Sequence, residues 1–168
     1  MENLKIKLIK TPIHRYTFTV KPIRNWVEAQ CNGRVLNLFA GPTKLSVAEI
    51  RNDIDPNMVA DYHLDAIDFL QQWKGEKFDT IILDPPYSYR KSMELYNGHK
   101  ASRFKLVKDS IPLCLKHFGK VITFGYQSVA MGRTRNFDLI SLAIFNHGGA
   151  THDTVACVEQ FIPELGCP

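Results

Sequence analysis

Phe78-Asp-Thr-Ile-Ile-Leu83 is a short, nearly continuous apolar run, and it ends without a spacer on Asp84-Pro85-Pro86-Tyr87. A run of this kind fits a strand covered on both faces, as in parallel sheets flanked by helices. Two successive prolines cannot continue a hydrogen-bonded ladder, because neither has an amide N–H to donate. The strand must therefore stop at Asp84, with a carboxylate and a stiff turn at its carboxyl end. That junction restricts the chain to folds in which a buried strand delivers polar groups to one end of a sheet.

The rest of the sequence repeats the pattern. Arg34–Ala40 is a second apolar run, closed by Gly41-Pro42, and Val47–Asn52 is a third, closed by Asp53. Val121–Phe124 follows Gly119-Lys120 as a fourth. Leu139–Phe145 and Thr154–Phe161 read as two late strands joined through His147-Gly148-Gly149, which suits a hairpin. Between the runs, Ala60–Trp73 places Leu64, Ile67, Phe69, Leu70 and Trp73 at helical spacing. Ser102–Phe118 does the same with Phe104, Val107, Ile111 and Leu115, and Pro112 must kink or break it. Near the start, Lys5–Lys10 and Arg15–Val20 alternate like short strands on either side of Pro12, and Ile23–Gln30 has weak helical spacing. Strands alternating with helices predict an open α/β sheet, mostly parallel and Rossmann-like, with an antiparallel hairpin at the C-terminus. Ligands of such sheets bind at the carboxyl ends of the strands. Asn37–Gly41, Asp53 and Asp84–Tyr87 all fall there.

The Asp-Pro-Pro-Tyr turn suits one chemical task. An aromatic amine is a poor nucleophile because its lone pair is delocalised into the ring. A carboxylate and a backbone carbonyl that both accept hydrogen bonds from the NH2 group free the lone pair and stabilise the positive charge that develops on attack. Asp84 with the Pro85 and Pro86 turn supplies both acceptors, and Tyr87 supplies a ring to stack on a base drawn out of its helix. The competing reading is a plain strand-terminating turn, for which Asp-Pro-Pro is a natural stop.

With these residues the chain resembles the class I S-adenosylmethionine-dependent methyltransferases, in particular compact amino-methyltransferases of nucleic acid described as adenine-specific DNA methyltransferases. The resemblance runs from about Arg34 to Glu159, through VLNLFAG (Val35–Gly41), RNDID (Arg51–Asp55), DAIDFL (Asp65–Leu70), DPPY and GKVITFG (Gly119–Gly125). It implies S-adenosylmethionine as cofactor and Asp84, Pro85, Pro86 and Tyr87 as the catalytic turn. It assigns Asn37 through Gly41, with Phe39 and Ala40, to the loop around the methionine part of the cofactor. Asp53 would accept from the ribose hydroxyls, and Asp65 and Ala66 would meet the adenine. Phe18–Pro22 and Trp26 would belong to an N-terminal segment closing over the cofactor.

Each assignment has a structural competitor: a turn for Gly41, a solvated turn or helix cap for Asp53 and Asp55, helix-dipole favour for Asp65. Phe69 and Trp73 read as core. Two departures from the family pattern stand out. Asn37 occupies a position that is usually acidic, and Gly41-Pro42-Thr43 replaces a G-x-G. Only eleven residues separate Gly41 from Asp53, too few for strand ends plus a full helical crossover. The first crossover helix is therefore expected to be short or absent, with Lys44 and Ser46 covering the cofactor instead.

The net charge of +4 is concentrated in residues 1–34 and in Arg90–Lys108, beside the DPPY turn. Such clusters suit phosphate contact or a solvated face. The resemblance implies adenine N6 in DNA as the preferred substrate, with adenine N6 or guanine N2 of RNA as the alternative, since shape and exposed bases suffice for RNA recognition. The candidate recognition insertions are Ser88–Arg103 and Ala130–Phe137, so a specificity subunit or a homodimer is compatible with this length. A noncatalytic nucleic-acid-binding module is the reading from another class. The six histidines and four cysteines show no metal-ligand spacing, so no metal is expected and the thiols read as buried or incidental. Without repeats, linkers, a signal segment or an apolar run of membrane length, the expectation is one cytoplasmic domain over residues 1–168, with no membrane contact.

Overall fold

The computed structural model describes residues 4–86, 104–126, 131–149 and 151–163. Seven strands form one sheet: β1 (Lys5–Lys10), β2 (Val35–Asn37), β3 (Glu49–Arg51), β4 (Phe78–Leu83), β5 (Leu115–Gly125), β6 (Phe137–Asn146) and β7 (Thr154–Phe161). Their spatial order is β1-β6-β7-β5-β4-β2-β3. Every pairing is parallel except those of β7, which runs antiparallel to both β5 and β6. The expected parallel sheet with a C-terminal antiparallel hairpin is therefore present.

Among the described residues three helices cover the sheet: α1 (Lys21–Gln30), α2 (Ala66–Gln72) and α3 (Phe104–Cys114). Strand β4 shows why both faces must be covered. Ile81 and Leu83 belong to one apolar cluster with Phe69 and Leu70 of α2 and Val107 and Ile111 of α3. Ile82 belongs to the other, with Ile23, Trp26 and Val27 of α1 and Phe124 of β5. Trp26 meets Phe124 and Phe145 edge to face, with ring centroids 6.2 and 5.7 Å away. Phe69 and Trp73 are core residues, as read from the sequence: Trp73 stacks on Phe69 and lies 5.0 Å from the Phe78 ring. Cys114 and Cys157 are buried thiols, and burial pushes them up to about 11 and about 12. Among the described residues no helix is long and apolar enough to cross a membrane.

Four segments differ from expectation. Arg15–Val20 is not a strand: Thr17–Thr19 forms a 3-10 turn, closed by Thr19 N–H to Tyr16 O and Val20 N–H to Thr17 O. Its alternation is real in burial, with Phe18 and Val20 inside, but its backbone bonds are local. The helix expected from Ala60 begins only at Ala66, because Asp65 caps it by accepting from Ile67 N–H at 2.9 Å. Tyr62, upstream of that cap, makes a single parallel bridge to Asn52 and so widens the sheet beyond β3. Helix α3 carries Pro112 in its last turn and ends at Cys114, and β5 starts at once. Regular pairing of β5 with β4 resumes at Lys120, after Lys116–Gly119 bulge out.

The loop before β2 is held by Asp79, which accepts from Arg34 N–H at 2.8 Å and from Lys116 Nζ at 2.9 and 3.0 Å. The Arg34 N–H, then Lys116, hold its carboxyl below the usual carboxylate range. Gly33 sits against this carboxylate with φ +58°, and an added Cβ there would run into the Asp79 side chain. Gly33→Ala is expected to cost about 1–3 kcal/mol from backbone conformation. Thermal unfolding should register this as a drop of roughly 2–4 °C per kcal/mol.

Candidate active site

The chain runs from β2 outward to β3, then returns across the sheet to β4, so the strand order reverses between β2 and β4. Neighbouring strands there carry their loops to opposite faces, which opens a crevice at the carboxyl ends. A cleft with about 650 Å³ of open space lies at this point. Its walls are Phe39–Thr43 after β2, Asp53, Asp55 and Met58 after β3, Asp84–Pro86 after β4, and Arg15–Phe18 from the N-terminal turn. Four segments separated in sequence thus meet in one space.

The connection from β2 to β3 contains no helix, so the short-crossover expectation resolves to an absent one. A side-chain clasp takes its place. Arg51 on β3 is buried, and its guanidinium donates to the carbonyls of Gly41 at 2.7 Å, Thr43 at 3.0 Å, Ala40 at 3.3 Å and Val59 at 2.8 Å. It also pairs with Glu49, whose side chain is fully buried. Glu49 in turn accepts from Leu45 N–H and from Asn37 Nδ2, each at 3.0 Å. The loop that lines the cleft is therefore pinned from beneath by one arginine, itself neutralised by one glutamate.

Asp53 ties the two loops together. One carboxylate oxygen accepts from Gly41 N–H at 2.8 Å and the other from Asp55 N–H at 3.0 Å. Burial pushes the carboxyl up from its ordinary value, against these two N–H groups, which favour the ionised form. Each oxygen keeps a lone pair for a ligand. Gly41 adopts φ +58°, a conformation that L side chains rarely adopt. The Tyr16 ring lies above it, and Arg15 stacks on that ring at 5.3 Å. Thr19 and Thr43 join the N-terminal turn to the loop through their hydroxyls at 3.0 Å.

Of the residues singled out in the sequence, Phe39, Ala40, Gly41, Asp53, Asp84, Pro85 and Pro86 line the cleft. Asn37, Asp65 and Ala66 are not among its lining residues. Asn37 lies fully buried in β2 beneath the loop, bonded to Glu49. Asp65 is the cap of α2, and Ala66 packs into the core below it. Of the N-terminal segment, Phe18 reaches the cleft, whereas Trp26 is core. Lys44 and Ser46 do not line the cleft; Ser46 N–H is bonded to Glu28 at 2.7 Å. Tyr87 and Ser88–Arg103 lie outside the described residues. In the sequence Arg15 stands only within the basic N-terminal cluster, and Tyr16, Thr17, Thr43, Met58 and the Arg51 clasp have no individual role there. The only signal for the clasp was a charged pair, Glu49 and Arg51, inside an otherwise strand-like segment.

Several solved structures share the fold. TrmN from Thermus thermophilus matches with a TM-score of 0.61 at 14% identity, over 88% of this chain and 50% of that one. This chain thus spans half the length of TrmN. The N-methyltransferase NodS from Bradyrhizobium japonicum, in complex with S-adenosyl-L-homocysteine, matches at 0.56 and 13% identity over 84% of each chain. The 1,6-didemethyltoxoflavin-N1-methyltransferase of Burkholderia thailandensis, with bound 1,6-didemethyltoxoflavin and S-adenosylhomocysteine, matches at 0.58 and 10% identity, over 84% of this chain and 77% of that one. No protein-family model matches the chain, and no curated protein does. Topology and these likenesses together give the chain the Rossmann-like α/β fold seen in methyltransferases.

Proposed function

We propose that the chain is an S-adenosylmethionine-dependent N-methyltransferase acting on an exocyclic amine of a nucleobase, adenine N6 in DNA first. The observation that carries this reading is the single cleft in which Asp84-Pro85-Pro86 faces the Phe39–Thr43 loop and Asp53. Two of the structures sharing the fold are N-methyltransferases with S-adenosylhomocysteine bound, which supports the choice of cofactor.

The residues present fit that cofactor. A buried carboxylate with remaining acceptor capacity, Asp53, matches a ribose diol, and Phe39 and Met58 offer apolar wall beside it. Gly41 admits close approach to its backbone because no Cβ stands in the way. Bound S-adenosylmethionine supplies an electrophilic methyl group on a sulfonium.

This chain's own residues would do the remainder. Asp84 and a carbonyl of the Pro85-Pro86 turn accept hydrogen bonds from the target NH2, orienting its lone pair and stabilising the charge it gains. The prolines keep that turn rigid, so the acceptors need no reorganisation as the reaction proceeds. The methylated amine then gives its extra proton to water, so a dedicated base is not required.

Incubation with methyl-labelled cofactor and separate DNA and RNA pools, followed by nucleoside mass spectrometry, tests this reading. The expected product is N6-methyladenine in DNA. Label at adenine N6 or guanine N2 of RNA would move the substrate to the other polymer. No labelled nucleoside together with no calorimetric cofactor binding would sink the enzyme and leave a noncatalytic binding module.

A further inference from the structure

A second cavity, about 390 Å³ of open space, adjoins the cleft and shares Arg15 and Thr17 with it. It opens at the carboxyl ends of β1, β5 and β6, and its other lining residues include His14, Tyr126, His147, His152 and Thr154. Beside the aliphatic Ile13, Val20 and Ile23, its polar lining is an arginine, three histidines and hydroxyl groups, with no carboxylate among the described lining residues. The nearby Asp153 is bonded to Asn146 Nδ2 at 2.9 Å.

The floor of this cavity is built by His147. Its Nδ1 lies 3.1 Å from Pro12 O, 3.1 Å from the Thr11 hydroxyl and 3.4 Å from Thr11 O. Its Nε2 meets the Thr154 hydroxyl at 2.8 Å. His147 thereby stitches the end of β1 to the start of β7. Arg15, His14 and His152 are exposed at the mouth, and the His152 ring packs 5.4 Å from that of Tyr126.

We infer that this cavity is a phosphate subsite, which takes the phosphate ester next to the base held at Asp84. The inference rests on the proposed function for the identity of the base, but not for the anion chemistry. Arg15 is its main cation, placed at the boundary so that a base on one side and its phosphate on the other are bridged by a single residue. The phosphate has two possible sources, a strand backbone or the 5′-phosphate of a free nucleotide, and both present anionic non-bridging oxygens to the same donors.

The test is equilibrium binding of a fluorescent single-stranded oligonucleotide to the intact chain across a salt series, read by anisotropy without turnover. Each phosphate contact contributes about 0.7 to the slope of log affinity against log salt for single strands. Arg15→Gln is expected to make the slope shallower by about that amount. His152→Gln should weaken binding by about tenfold, as for one lost hydrogen bond to a charged group. Competition by adenosine monophosphate but not by adenosine assigns the subsite to a nucleotide phosphate; competition by unlabelled strand alone assigns it to the backbone.

Unchanged slope and affinity in both variants, with circular dichroism showing them folded, would overturn the subsite. Phosphate-dependent binding without methylated product would overturn the proposed reaction and leave the subsite standing. Methylated product with unaltered binding in both variants would overturn the subsite alone.

Discussion

Asp84→Ala is expected to lower the methyl-transfer rate by about 10²–10³-fold, the loss typical when one preorganised group facing developing charge is removed. Cofactor affinity should stay close to that of the unsubstituted chain. The separation follows from where the residue sits. Strand β4 is gripped by β2 on one side and β5 on the other, and Leu83, immediately before Asp84, is fully buried. Truncating a side chain beyond that point leaves the Pro85-Pro86 turn in place and leaves the Asp53 bonds to Gly41 and Asp55 untouched. Asp84→Asn keeps an acceptor oxygen but loses the charge, and its rate should fall between the two. Single-turnover transfer measured beside calorimetric cofactor binding gives both quantities on one preparation. A wild-type rate in Asp84→Ala would remove this residue from the proposed chemistry.

That prediction was within reach of the sequence because β4 announces itself: its residues are apolar on both faces, and two prolines fix where it stops. The missing crossover helix was equally legible, since eleven residues between Gly41 and Asp53 do not hold strand ends and a helix. Other features depended on partners that the local sequence does not reveal. The alternation of Arg15–Val20 has the period of a strand, but its amides bond within the turn and not to a neighbour. Asp65, which the resemblance assigns to the adenine, accepts from Ile67 N–H and caps α2, a role that depends on where the helix starts. Asn37 follows the same logic, since a three-residue strand places it under the loop and against Glu49. The cleft was legible in its three strand ends and, through Phe18, in part of its N-terminal wall; the place of Arg15–Thr17 depends on tertiary partners, the packing of Phe18 on Phe124 and the bond between the Thr19 and Thr43 hydroxyls.

Arg51→Ala is expected to be the most damaging substitution to the fold of the cleft, at about 3–5 kcal/mol, the usual cost of leaving a buried charge without its partner. In thermal unfolding this corresponds to a fall on the order of 10 °C for a chain of this size. The informative variant is the double one, Glu49→Leu with Arg51→Met. Replacing both members of a buried ion pair with apolar residues is often neutral or stabilising, so a pair serving only itself would be rescued. This pair serves the loop. Without Arg51 the carbonyls of Ala40, Gly41, Thr43 and Val59 lose a donor, and without Glu49 the Leu45 N–H and the Asn37 amide lose an acceptor. Each group left buried and unpaired costs about 1–3 kcal/mol, so the double variant should remain well below the parent in stability and in cofactor affinity. Recovery of both in the double variant would show that the loop holds its shape without the clasp. Persistent loss would show that a guanidinium on β3 does for this cleft what a crossover helix would otherwise do.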